Sequence, residues 1–134
     1  MKRILVSALL SLAFSLGAVG SAASAPAPTY TAVLTVDSSC FFTLKASWTR
    51  VAVAKVYGFW YYDDRYVFTT DAPGTSPNSG TIIGRTATMN AGPVTVDTVN
   101  HSWKVLVQFY SRAGAQLASI DSNVVSAPCS VALP

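Results

Sequence analysis

The chain has 134 residues, 51% hydrophobic and 11% charged, with a formal net charge of +3. That length accommodates one domain and a processing segment, and the apolar content excludes intrinsic disorder as the overall state. All six acidic residues are Asp and Glu is absent, which disfavours a helix-rich fold.

Lys2 and Arg3 precede an uncharged run from Ile4 to Val19, rich in Leu, Ala and Ser, followed by the small residues Gly20 to Ala25. This layout predicts a secretory signal peptide over 1–23, with cleavage after Ala23. Cleavage after Ala25 also meets the small-residue rule but places Pro26 directly behind the cut. The mature protein is then expected to be soluble, without membrane insertion, and secreted or periplasmic, in a bacterial context. Loss of Lys2 and Arg3 leaves seven basic residues against six Asp, a net charge of +1. No Lys/Arg cluster remains to follow a phosphate backbone, so nucleic acid is not an expected partner.

Residues 24–28 form a short stiff linker ending in Pro26-Ala27-Pro28, and 29–134 is the expected domain. From Thr29 to Asp37 the chain alternates, with Tyr30, Ala32, Leu34 and Val36 on one face. After a Ser38-Ser39 turn, Cys40, Phe42, Leu44, Ala46 and Trp48 alternate with Phe41, Thr43, Lys45, Ser47 and Thr49, the strongest strand periodicity in the chain. The segment KVYGFWYYDD is aromatic on both parities. A glycine aimed into a core leaves a hole, so the expected register sends Tyr57, Phe59 and Tyr61 inward and Val56, Gly58, Trp60 and Tyr62 outward. Asp63-Asp64 turns the chain into the strand RYVFTT, and residues 71–80 have loop composition. TIIGRTATMN and PVTVDTV are weaker strands divided by Ala91-Gly92-Pro93. Trp103, Val105, Val107 and Phe109 then share one face of a further strand, Ala113-Gly114 marks a hairpin, and AQLASIDSNVVS is the last strand before Cys129.

Seven or eight short strands with frequent turns and no helical period predict an all-β fold, a single antiparallel β-sandwich. The cysteines Cys40 and Cys129 are expected to pair, because thiols oxidise outside the cytosol. The alternative, a metal or redox thiol pair, is opposed by the wide spacing, the single His and the lack of a Cys-x-x-Cys.

Trp48 at the end of an alternating strand, Tyr57-Gly58-Phe59-Trp60-Tyr61 nine residues on, and the final WKVLVQFYSRAGAQLASIDSNVVSA resemble a fibronectin type III domain. The resemblance covers most of the mature chain and implies an immunoglobulin-like sandwich. The chain departs from the family pattern at Trp103, where a corner Tyr is usual, and in lacking the Leu-Pro lead-in. In such an order the start of strand two and the end of strand seven lie at one end of the sandwich, in agreement with a Cys40–Cys129 bridge.

Catalytic signatures are sparse. The single His, His101, is expected in an Asn-His-Ser surface turn without a nucleophile to serve. Asp63 and Asp64 are expected as solvated turn residues, a Ca²⁺ role with Asp71 being the minor alternative, and no phosphate loop or dinucleotide fingerprint occurs. No catalytic residue, metal or cofactor is therefore expected. The mature segment carries three Trp, six Tyr and five Phe, more aromatics than its core positions hold. In the register above, Trp60, Tyr62 and Tyr110 form an outward strip suited to stacking on sugar rings or anchoring a protein. The expected function is an exported, non-catalytic binding module for a surface glycan or protein, through this strip or the end loops. The alternatives are a self-assembling cell-surface component and a secreted hydrolase inhibitor presenting 71–80.

Overall fold

The computed structural model describes residues 26–91 and 94–132, and the signal-peptide assignment of 1–23 lies outside them. Nine strands follow one another: β1 Tyr30–Val36, β2 Phe42–Trp48, β3 Lys55–Tyr62, β4 Arg65–Ala72, β5 Thr81–Ile83, β6 Thr86–Ala91, β7 Thr95–Tyr110, β8 Gln116–Asp121 and β9 Val125–Ser130. They form two antiparallel sheets. One has the order β1-β2-β6-β5, the other β4-β3-β7-β8, with β9 also pairing to β7. The fold is an all-β sandwich, as the alternation predicts.

The hydrophobic faces of the two sheets meet in a single core. From the first sheet come Leu34, Phe42, Leu44, Ala46, Trp48, Ala87 and Met89, and from the second Val56, Trp60, Tyr62, Trp103, Val105, Val107 and Phe109. Aromatic contacts cross the interior: Phe42 lies 4.6 Å from Trp103 and Trp48 lies 6.0 Å from Phe109, ring centre to ring centre. Such tilted and edge-on pairs add to the apolar burial that holds the sheets together. The expected facing of β1, β2 and the second half of β7 agrees with this core.

Turn chemistry sets several boundaries. Asp63 and Asp64 join β3 to β4 as a two-residue hairpin with both φ positive, at 47° and 66°. Mirror-image turns of this kind match the twist of paired strands, and Asp tolerates the left-handed region better than most residues. TIIGRTATMN is not one strand but the β5–β6 hairpin, broken at Gly84, whose φ is +62°. AQLASIDSNVVS likewise divides, because Ser122 and Asn123 carry their own hydrogen bonds. Ser122 exchanges bonds with the Val105 backbone, while the Asn123 amide takes both the N–H and the C=O of Leu34, at 2.7 and 3.0 Å. Asn123 thus acts as a one-residue strand partner for β1 and ties the two sheets together.

Cys40 and Cys129 are bonded, with Cα atoms 5.6 Å apart and a sequence separation of 89. Cys129 lies within β9 rather than beyond the last strand, opposite Val96 on β7. In chain-entropy terms a loop of this length is worth about 4–5 kcal/mol at most.

Candidate binding face

The facing of β3 is opposite to the expected one. Val56, Gly58, Trp60 and Tyr62 face the core, whereas Lys55, Tyr57, Phe59 and Tyr61 face outward. Gly58 does not leave a hole. A Cβ there would come within 2.9 Å of Thr70 Oγ1, 3.1 Å of Val105 Cγ1 and 3.2 Å of Leu44 Cδ2, so neighbouring side chains already occupy the space. Trp60 is 0% exposed, stacks on Phe68 at 5.4 Å and donates its Nε1–H to Thr70 Oγ1 at 2.8 Å. Its one polar atom is therefore satisfied, which makes full burial of an indole favourable.

The outward strip of Trp60, Tyr62 and Tyr110 accordingly does not exist as one surface. Trp60 and Tyr62 are core residues, and of the three only Tyr110 lies on the outer face. That face carries a different aromatic set. Tyr57, Phe59 and Tyr61 run along β3, flanked by Tyr66 of β4 and Tyr110 of β7. Tyr57 stacks at 6.4 Å on Phe59 and meets Tyr110 edge-on at 5.5 Å, while Tyr61 meets Tyr66 edge-on at 6.1 Å. Four of these rings are half-buried, leaving part of each ring accessible, and Tyr66 is 52% exposed.

Two lysines frame the rings. Lys55 Nζ lies 5.6 Å from the Tyr57 ring centre and Lys104 Nζ 5.9 Å from that of Tyr61, both within cation–π range. Lys55 also bonds Asp71 Oδ2 at 2.7 Å and donates to the Pro73 carbonyl. The Lys55 ammonium, followed by the Ser79 hydroxyl, holds the Asp71 carboxyl below its ordinary pKa. Tyr110 OH donates to Gln108 Oε1 at 2.8 Å, fixing its ring against the sheet. Where Tyr57 and Tyr110 meet, a cleft of about 530 Å³ opens between Lys55, Ser111 and Arg112. Rings held in place by cross-strand packing, with donors at their margins, can receive a flat, partly apolar ligand at small ordering cost. The sequence signal for this face was Lys55, a charged residue on the same parity as Tyr57, Phe59 and Tyr61.

His101 is a second correction. It lies within β7 rather than in a turn, with its side chain 18% exposed. Nδ1 is 2.7 Å from Asp63 Oδ2 and Nε2 is 2.8 Å from Asp97 Oδ2, while Asp63 Oδ1 accepts from the Ser102 N–H. Two carboxylates at the two ring nitrogens suit an imidazolium, which donates from both. The His101 pKa is raised, by Asp63 first and Asp97 second. The Ser102 N–H and then His101 lower that of Asp63, and His101 lowers that of Asp97. This knot fastens the β3–β4 hairpin to β7, and neither ring nitrogen is left over as a base. Asp63 and Asp64 sit at the end of the sandwich opposite Asp71, so the three do not form one Ca²⁺ site. Among the described residues no group of three His, Cys, Asp or Glu side chains is placed to hold a metal ion.

Compared with protein-family models, with curated proteins and with solved structures, the chain matches none.

Proposed function

We propose that the chain is an exported, non-catalytic binding module of fibronectin type III-like form, which recognises a surface glycan or protein through the outer face of the β4-β3-β7-β8 sheet. The observation that carries this reading is the row of Tyr57, Phe59 and Tyr61 with Tyr66 and Tyr110 beside it, on a face covered by no other part of the described chain. Apolar rings on an outer face are dispensable for the core, and contiguous ones mark interaction surfaces. The disulfide is compatible with an extracellular or periplasmic setting. Strand order supports the family likeness: β4-β3-β7-β8 opposite β1-β2-β6-β5 places the third strand beside the long one carrying Trp103.

The test is a Phe59→Ser/Tyr61→Ser variant of the mature protein, screened on a glycan array and by pull-down from cell-surface extracts. It should remain folded while losing the binding seen for the parent. Undiminished binding by the variant would overturn the reading.

A further inference from the structure

A second surface, at one end of the sandwich, has a chemistry of its own. Strand registers place Trp48 beside Tyr30, Ser47 beside Thr86 and Lys55 beside Tyr110. The β2–β3 loop, the β5–β6 turn and the β7–β8 hairpin therefore gather at the same end. Each supplies one arginine: Arg50, Arg85 and Arg112. Among the described residues none of the three has a carboxylate at ion-pair distance, and the one Asp at this end, Asp71, is occupied by Lys55. Asp37, Asp63, Asp64 and Asp97 all sit toward the opposite end. The sandwich is thus polarised, basic at the loop end and acidic at the other.

This end is also indented by two shallow, open depressions. One cleft, of about 610 Å³, is walled by Trp48, Arg50, Val51 and Arg85. The cleft of about 530 Å³ at Lys55, Tyr57, Tyr110 and Arg112 adjoins it along the β2–β3 loop. That loop is pinned on both sides, by Trp48 N–H to the Arg85 carbonyl at 3.1 Å and by Ala54 N–H to the Tyr110 carbonyl at 2.9 Å. Arg50 and Arg85 consequently project from a framed loop and turn, and Arg112 from a hairpin closed by Ser111 N–H to the Ala115 carbonyl at 2.9 Å, which reduces the ordering cost of binding an anion.

We infer that this end binds an anionic polysaccharide, a chain of sugars bearing carboxylate or sulfate groups. Guanidinium forks pair with planar or tetrahedral oxyanions, and the Tyr57 and Tyr110 rings at the cleft margin offer stacking faces to the sugars between charges. The site overlaps the near end of the aromatic sheet face, sharing with it the cleft at Lys55, Tyr57 and Tyr110, and leaves Phe59, Tyr61 and Tyr66 outside.

The experiment is calorimetric titration of the mature protein with polygalacturonate, with dextran sulfate and with neutral dextran, at low and at physiological salt. An Arg50→Gln/Arg85→Gln/Arg112→Gln variant and the Phe59→Ser/Tyr61→Ser variant are run in parallel. The expected result is binding of at least one polyanion and not of dextran, weakened by salt. The arginine variant should lose about tenfold or more in affinity at unchanged melting temperature, since it removes charge-assisted contacts. The sheet-face variant should keep that affinity. Whichever polyanion binds more tightly identifies the charged group. Equal binding of dextran, no binding of either polyanion, or full affinity in the arginine variant would overturn the inference. So would tighter binding of a single-stranded oligonucleotide than of both polyanions. Salt-sensitive association of the protein with itself, abolished in the arginine variant, would assign the basic end to the acidic end of a second copy instead.

Discussion

Strand β3 presents two aromatic faces with opposite fates. On its inner side Trp60 and Tyr62 are enclosed by the opposing sheet, and the Trp60 Nε1–H is spent on Thr70. On its outer side Tyr57, Phe59 and Tyr61 pack only against their own sheet and keep part of each ring accessible. Residues of one chemical kind, one position apart, thus serve cohesion on one side and, in the function proposed, recognition on the other. Facing, not composition, separates the two roles, because a one-residue shift in a strand exchanges its faces.

The contrast has measurable consequences. Trp60→Ala removes a fully enclosed indole and leaves Thr70 without its donor, and is expected to destabilise the domain by about 3–5 kcal/mol in denaturant unfolding. Gly58→Ala pushes a methyl group into Thr70, Val105 and Leu44, and overpacking of that kind costs about 1–3 kcal/mol by the same measurement. Phe59→Ser, on the outer side, is expected to change stability by less than about 1 kcal/mol. It should nevertheless weaken ligand capture, the reverse of the pattern for Trp60. A Phe59 variant as unstable as the Trp60 variant would erase the distinction between the faces.

The smallest expected effect concerns the end of the strand, where the His101 knot holds the hairpin. Asp63 and Asp97 titrate below their ordinary values, so their contribution is present above about pH 4 and fades as pH falls through the folded values. His101 titrates above its ordinary value, so its contribution is complete below about pH 6.5 and is lost as pH rises through the folded value. The stability difference between the parent and His101→Ala should therefore be greatest between those limits and shrink on either side. A difference that is constant from pH 4 to 9 would show that the ion pairs add nothing.

Much of the fold was legible in the chain itself. In β2, polar Thr43, Lys45 and Ser47 alternate with Phe42, Leu44 and Ala46, so the solvent side announces itself. In β1 and in the half of β7 from Trp103 to Phe109 the outer side is likewise mostly polar, broken once in each by Val33 and Leu106. In β3 both parities are aromatic, and Gly58 points to the wrong facing when a glycine is read as a hole. In the folded protein it is a point of close approach, filled from three other strands. The His101 knot was hidden for another reason. Asp63, Asp97 and His101 are brought together only when the β3–β4 hairpin lies beside an irregular, 16-residue β7, whose pairing with β9 shifts between Val96 and His101. The basic end was similarly invisible, since Arg50, Arg85 and Arg112 are far apart in sequence and meet through topology alone.

The facing of Trp60 decides most of this account, and collisional quenching of tryptophan fluorescence by iodide tests it directly. All three tryptophans, Trp48, Trp60 and Trp103, are buried, at 4%, 0% and 0% exposure. The native protein should therefore be almost unquenchable until it is unfolded, and Trp60→Phe should leave the quenching unchanged. A readily quenched fraction in the native protein that disappears in Trp60→Phe would place Trp60 in solvent and contradict the account.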